Sequence, residues 1–352
     1  MINAKIICDS LSPQGHRITT FELIYPRIIH SELMTHRLFS RNASSSRAVP
    51  VNKIIDAVKN NMFTPFAIQK AHKGMQGFEY FEGEELEQAN KLWIESAELA
   101  LQQAEKMEKF GITKQLINRI LEPYQYYKVL LTATEFDNFF DLRCPQYEHP
   151  NNPGIFYKSL KDFSKKHAIM GWLDYKYEQR FKINKGQSEI HMMQLAECMW
   201  NAMNESVPKQ LKAGEYHIPY GDTFSKEGVL REMKYNPTVS NIATADEMFE
   251  YYSLRIATAK CARISYTTVG EDNKEMPYEK DIALHDSLIA SGHMSPTEHI
   301  AVAMSDEEYH SFVKGNGTPA EHSSALYFNN EDYGWCLNYR GFIQYRYLLQ
   351  NQ

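Results

Sequence analysis

The run from Glu84 to Phe110 places Leu86, Trp93, Ala97, Ala100 and Ala104 on one stripe of a helix opposite a charged face, and Gly111 follows where the helix must stop. A helix of that length sets the scaffold. Shorter helical patterns cover 113–121, 134–142, 188–203, 244–260 and 278–290. Ile28 to Phe39 also reads as helix: Pro26 sits just ahead of it, and Ile28, Ile29, Leu33 and Met34 share a face, with His36 and Arg37 at its C-terminal end. Residues 2–8 and 17–24 are rich in β-branched and apolar types on either side of SPQG and read as two strands. The pattern breaks between Pro145 and Gly186, which reads as an insertion of about 145–187, and again over Lys314 to Tyr333, which reads as a loop.

The 352 residues are 43% hydrophobic and 12% aromatic, enough large side chains to offset the entropy of ordering a packed core. The net charge of −6 provides no global attraction to nucleic acid or to an acidic membrane, so an anion must be caught by a local cluster. Cys8, Cys144, Cys198, Cys261 and Cys336 are odd in number, far apart and without CxxC spacing, which fits a reducing compartment. With no apolar run long enough for a signal or a membrane span, a cytoplasmic location is expected. No paired His carries a carboxylate at metal-ligand spacing, so no metal is expected, and the half-motif at Gly315 and Gly317 lacks the strand of a dinucleotide site.

Local charge is therefore informative. From Leu33 to Ile55 there is no Asp or Glu, whereas His36, Arg37, Arg41, Arg47 and Lys53 are interleaved with Ser40, Asn42, Ser44, Ser45 and Ser46. Guanidinium forks and small hydroxyls with accessible backbone N–H groups suit a phosphate. On composition alone a solvated basic loop fits equally well.

The run THRLFSRNASSSR at 35–47 resembles the signature of flavin-dependent thymidylate synthases: Arg-His-Arg, seven residues, Ser, and Arg two further on. His36, Arg37, Ser45 and Arg47 match; Thr35 stands in place of the first Arg and Ala43 in place of a common Glu. CARISY at 261–266 and GHMSPTEH at 292–299 resemble the family's ARxSF and GHxTPxEH segments. In the family that second block precedes the Arg-His-Arg block; here it lies near the C-terminus, and HRITTF at 16–21 resembles what normally follows it. The chain thus resembles a circularly permuted, phage-type member, with 255–304 equivalent to the family's N-terminal segment. ITKQLINRILEP at 112–123 and TATEFDNFFDLR at 132–143 extend the similarity to about half of the chain, with Thr132 and Thr134 replacing the family's Asn and Arg.

The resemblance implies a single α/β domain of the α+β kind, a small, mainly antiparallel sheet packed with long helices, assembled as a homo-oligomer with a tetramer favoured. It implies reductive methylation of dUMP to dTMP with FAD as cofactor and methylenetetrahydrofolate and NADPH as co-substrates, and no role for nucleic acid or membrane. It assigns nucleotide contacts to Ser45, Ser46, Arg47, Arg119 and Arg143, with Ser45 and Arg143 at the reacting ring, and flavin contacts to His36, Arg37, Asn42, Asn138, Ser265, His293, Ser295 and Glu298. A flavin route fits cysteines that lack a neighbouring His or helix start to activate a thiolate. Arg340, Gln344 and Arg346, set among aromatics in NYRGFIQYR, are candidates for the nucleotide contact that Thr35 cannot make; a closing strand with solvated Arg is the alternative. Two other outcomes stay open on this scaffold: a hydroxymethylase of dUMP or dCMP, and a nucleotide-binding homologue without catalysis. The GEYHIPYGD run at 214–222 reads as a turn between short strands and carries no assigned role.

Overall fold

The computed structural model describes residues 2–74, 77–149, 152–167, 184–234, 244–270, 276–314 and 330–351. Much of the expected 145–187 insertion, and most of the expected 314–333 loop, lies outside the described residues. At the centre is a five-stranded sheet in the order β3 (Ser40–Ala43), β4 (Tyr126–Ala133), β2 (Arg17–Pro26), β1 (Asn3–Leu11) and β7 (Lys209–Gln210). Its pairings are antiparallel except the short β1–β7 contact. Outside this sheet, β5 (Tyr147–Glu148) pairs with β6 (Phe156–Tyr157), β10 (Trp335–Cys336) pairs with β11 (Tyr339–Arg340), and α6 (Leu160–His167) and α8 (Lys226–Glu232) are short helices. The fold is a mixed α/β arrangement of a small sheet and long helices, as expected.

Side chains alternate along a strand, and here both faces are buried for different reasons. Phe21, Leu23 and Tyr25 of β2 and Tyr127, Val129, Leu131 and Ala133 of β4 form one apolar face. It packs against α5 (Asp137–Arg143) and α7 (Ile190–Glu205), whose Met192, Leu195, Ala196 and Met199 close the main core. The alternate positions include Thr20, Glu22, Lys128, Leu130 and Thr132. That second face is largely polar, yet Thr20 and Thr132 are fully buried, because segments from Tyr216 onward lie over it. The cover consists of α9 (Ala245–Arg263), the 3-10 turn Ser295–His299 and a three-stranded sheet of β8 (Tyr216–His217), β9 (Ala301–Ala303) and β12 (Phe342–Gln344).

A second, smaller core joins α2 (Val51–Asn60), α3 (Gly83–Phe110) and α4 (Lys114–Ile120) through Val51, Ile54, Ile55, Val58, Leu101, Ala104, Ile117 and Leu121. Their ends follow local chemistry. Gly111 takes φ +91° at the C-cap of α3, a left-handed conformation that glycine adopts without steric cost, and Thr113 caps α4 through Gln115 N–H. Helix α9 starts with a capping box between Thr244 and Glu247.

The expected helix from Ile28 to Phe39 is not formed. A 3-10 turn at Arg27–Ile29 leads into one helical turn, α1 (His30–Leu33), and the chain then turns into strand β3. The apolar spacing that suggested a stripe is split: Ile29 and Leu33 are buried, but Ile28, Met34 and Leu38 are exposed. The Arg41 guanidinium takes the carbonyls of Leu33 and His36 at 3.1 and 3.2 Å, capping the turn that a longer helix would have continued. The GEYHIPYGD run does contain a short strand, β8, but its partner is β9, far away in sequence.

Candidate functional site

The serine-rich turn after β3 is pinned on three sides by its backbone and short side chains. Ser44 N–H donates to Lys128 O at 3.0 Å, and Ser44 Oγ donates to Thr267 O at 2.7 Å. Ser45 N–H donates to Ser265 O at 3.0 Å, and Asn42 Nδ2 donates to Cys261 O at 3.3 Å. From the helical side, the fully buried Asn118 donates from Nδ2 to Ser46 O at 2.8 Å and to Val49 O at 3.0 Å. Lys114 Nζ reaches Ala48 O at 3.0 Å. Segments 35–47, 112–123 and 261–266, which are dispersed along the chain, thus meet at one turn.

Arg47 and Arg119 are both exposed, and among the described residues neither has an ion-pair partner. Arg27, beside the same turn, is paired with Glu122 at 2.7 Å and lies over the Tyr127 ring at 4.1 Å. Under the turn is a cavity of only about 30 Å³, lined by Arg27, Ser44, Ser45, Ser46, Tyr126 and Thr268 among others. It has room for about one water and none for a phosphate group.

Arg143 is elsewhere. Its guanidinium donates to His36 Nε2 at 3.2 Å, Glu32 Oε2 at 3.0 Å, Ser188 Oγ at 3.3 Å and Thr35 Oγ1 at 3.4 Å. Thr35, standing where the resemblance led to an arginine, therefore accepts from Arg143. His36 stacks on Phe39 and meets Phe139 edge-on; burial and then the Arg143 charge push its pKa down to about 4, so it is neutral and can accept the Arg143 proton. Arg143 borders a cavity of about 500 Å³ lined by Glu32, Gln69, Phe78, Tyr80, Ser188 and Glu189 among others, the size of a small-ligand pocket. Among the described residues, the two cavities share no lining residue. Within one chain, Arg143 is not brought into a common pocket with Ser45 and Ser46.

Apart from His36, which accepts from Arg143, the residues implied for flavin fall into two groups. Arg37, Asn138, His293 and Ser295 are exposed. Asn42 is buried with its amide on Cys261 O, Ser265 gives its carbonyl to Ser45, and Glu298 is paired with Arg346. The C-terminal candidates are all engaged within the chain, Arg346 with Glu298. Gln344 is buried, donating to Ser40 Oγ at 3.3 Å and Asn338 Oδ1 at 3.0 Å, so its amide is spent inside the protein. Arg340 gives its guanidinium to the carbonyls of Tyr333 and Asn330, and its N–H donates to Thr134 Oγ1 at 3.0 Å. The tail instead braces the 35–47 stretch, since Asn338 Nδ2 donates to Leu38 O at 2.9 Å and to Ser40 Oγ at 3.1 Å.

Asn118, Asn338, Glu32 and Ser188 escaped the sequence reading. Asn118 had one visible signal, a polar residue beside Ile117 on the apolar side of α4; the others are recruited by residues distant in sequence. All five cysteines are free. Burial pushes the Cys8 thiol up to about 11 and Cys336 up to about 12, and raises Cys144 and Cys261 further. Cys8 does have a histidine beside it in space, His217 Nδ1 at 3.3 Å, but burial also holds that imidazole neutral. No thiolate nucleophile results at these four cysteines.

No family model and no curated protein matches the sequence. Among solved structures, the UMP/dUMP methylase PolB from Streptomyces cacaoi bound with 5-Br UMP aligns at 16% identity and a TM-score of 0.39, covering 58% of this chain and 89% of that one. The same methylase bound with 5-Br dUMP aligns at 16% identity and a TM-score of 0.37, covering 54% of this chain and 67% of that one.

Proposed function

We propose that the chain methylates C5 of a pyrimidine deoxynucleotide, dUMP, by the flavin-dependent route. The observation that carries this reading is the convergence of three separated segments on the serine turn: Ser45 N–H on Ser265 O, Asn42 on Cys261 O, and Asn118 on Ser46 O. A permuted family member needs this convergence, because the block moved to the C-terminus must still reach the turn.

Arg47 and Arg119 would hold the nucleotide phosphate, as exposed cations flanking accessible serine hydroxyls. Ser45 would lie near the ring without acting as a nucleophile. Arg143, fixed by Glu32, His36, Ser188 and Thr35, would present a guanidinium edge whose orientation is already set before substrate arrives. Since Arg143 and the serine turn line separate cavities, a complete site calls for a second copy of the chain, which supports the homo-oligomeric reading.

The donor set fits a flavin: Arg37 is an exposed cation with no ion pair among the described residues and is suited to a pyrophosphate, and Asn138, His293 and Ser295 add exposed hydrogen-bonding residues. FAD, when bound and reduced, supplies reducing equivalents, with methylenetetrahydrofolate as carbon source and NADPH as electron source. The protein's part is to bind, orient and polarise, which agrees with the protonated state of Cys8, Cys144, Cys261 and Cys336.

The test is an absorbance spectrum of purified protein with added FAD, followed by NADPH oxidation with and without dUMP and by analysis of the product. Flavin retention, dUMP-dependent turnover and dTMP formation are expected. A hydroxymethylated product would transfer the reading to the hydroxymethylase, and a protein that binds dUMP but neither retains FAD nor oxidises NADPH would be the non-catalytic homologue.

A further inference from the structure

The polar face of the central sheet carries an unbroken chain of side-chain hydrogen bonds that the methylation reading does not use. Ser10 Oγ lies 2.9 Å from His217 Nδ1, and His217 Nε2 lies 2.8 Å from Thr20 Oγ1. Thr20 Oγ1 is 2.7 Å from Thr132 Oγ1, which is 2.8 Å from His299 Nδ1. Ser10 is 2% exposed and the other four residues are 0% exposed, so no solvent competes for these bonds. The chain runs from β1 through β8, β2 and β4 to the Ser295–His299 turn, binding the C-terminal cover to the sheet.

Proton counting constrains this chain. Each hydroxyl carries one proton, each neutral imidazole carries one, and each link can hold only one. When His217 carries its proton on Nε2, it donates to Thr20; Thr20 must then donate to Thr132, and Thr132 to His299 Nδ1. The His299 proton is left on Nε2. When His217 instead carries its proton on Nδ1, every link reverses and His299 must also be protonated on Nδ1. A mixed pair puts two protons, or none, into one buried link, which disfavours it on the order of ten-fold or more.

We propose that His217 and His299 form a coupled tautomer pair, in which His217, acting through Thr20 and Thr132, is the positioning residue that sets whether His299 Nε2 donates or accepts. The His217 end also sets the direction. Its Nδ1 faces Ser10 Oγ at 2.9 Å and Cys8 Sγ at 3.3 Å; an unprotonated Nδ1 can accept from both, whereas an Nδ1–H could donate well only to the hydroxyl because sulfur is a poor acceptor, so the proposed direction has Nδ1 accepting and both rings carrying Nε2–H. The carboxylate nearest this end, Asp9, is engaged by Arg17, Thr19 and Ser206 rather than by His217. His299 Nε2 is buried with no hydrogen-bond partner among the described residues, so an Nε2–H there is a donor available to an oxygen acceptor such as a single water or the carbonyl of a bound ligand. The inference needs no bound ligand and stands apart from the methylation reading.

The experiment is 15N NMR of the full chain with labelled histidine at neutral pH, where bare and protonated ring nitrogens give well-separated signals. Wild type is expected to show His217 and His299 both as Nε2–H; finding one ring as Nε2–H and the other as Nδ1–H overturns the coupling. In Thr20→Val, which keeps shape and removes the hydroxyl, His299 is expected to become a mixture of tautomers, and Thr20→Ser is expected to restore a single one. A His299 signal unchanged in folded Thr20→Val overturns the role of His217. If Thr20→Val does not fold, the wild-type tautomers still decide.

Discussion

Replacing Asn118 by Ala tests how the serine turn is held. Asn118 is fully buried on α4 and donates both amide protons to backbone carbonyls, Ser46 O at 2.8 Å and Val49 O at 3.0 Å. Each ordinary buried hydrogen bond contributes about 1 kcal/mol net, and a carbonyl deprived of a donor in a dry site costs about 1–3 kcal/mol. Two such losses, with the side chain's own volume left empty beside Ile117 and Leu121, come to about 2–4 kcal/mol. Urea unfolding at neutral pH reads this as a lower midpoint with an unchanged slope. Because the same bonds shape the turn between Ser45 and Arg47, dUMP affinity measured by calorimetry on folded protein should fall by about ten-fold or more. Asn118→Asp, close in shape but with oxygens facing two carbonyls, should be at least as destabilising. A loss below about 0.5 kcal/mol in Asn118→Ala, the scale of an ordinary surface substitution, would refute the argument that these two bonds hold the turn.

Arg47→Ala and Arg119→Ala should each weaken dUMP binding by about ten- to a hundred-fold, the range of a charge-assisted bond to phosphate, with little change in stability because both are exposed; unaltered affinity in both variants would remove the phosphate assignment. Stability should fall on acidification. His217 and His299 have folded pKa values pushed down to about 3 by burial, against an ordinary 6.5, so the unfolded chain binds protons that the folded one refuses. Their contribution is complete above about pH 6.5 and is lost as pH falls toward about 3, at up to about 1.4 kcal/mol per pH unit for each group. Urea midpoints between pH 7 and pH 4 check this, and a flat profile counts against dry, neutral imidazoles. Cys144, Cys261 and Cys336 should react with a thiol-specific disulfide reagent only after denaturant is added, since they are buried and protonated. Rapid native labelling of any of them would contradict the burial that keeps the thiolate route closed.

Elements governed by nearby residues were legible without a structure. The stripe of Ala97 and Ala104 with Gly111 at its end marked α3, and similar patterns marked α4, α5, α7, α9 and α10 (Tyr278–Ala290) to within a few residues. Periodicity failed at Ile28–Phe39 because the competing interactions were not local: Ser40–Ala43 gains a strand partner in β4, and Arg41 caps the turn. The acid-free turn at 44–47 could be recognised as a place for an anion, but Asn118, which holds it, could not.

Sequence by itself determined the long helices, the strand-forming segments, the basic serine turn and the residues that resemble a split family signature. Only tertiary structure decided that Ser45 meets Ser265, that Thr35 accepts from Arg143, and that Cys8 and His217 are neighbours. The physical reason lies in the two faces of the sheet. An apolar face accepts any helix with a matching stripe, so patterning suffices to describe it. A buried polar face requires specific partners: Lys128 pairs with Glu22 across the strands, while Glu22, Thr20 and Thr132 also take Tyr220, His217 and His299, which chain spacing alone does not bring near.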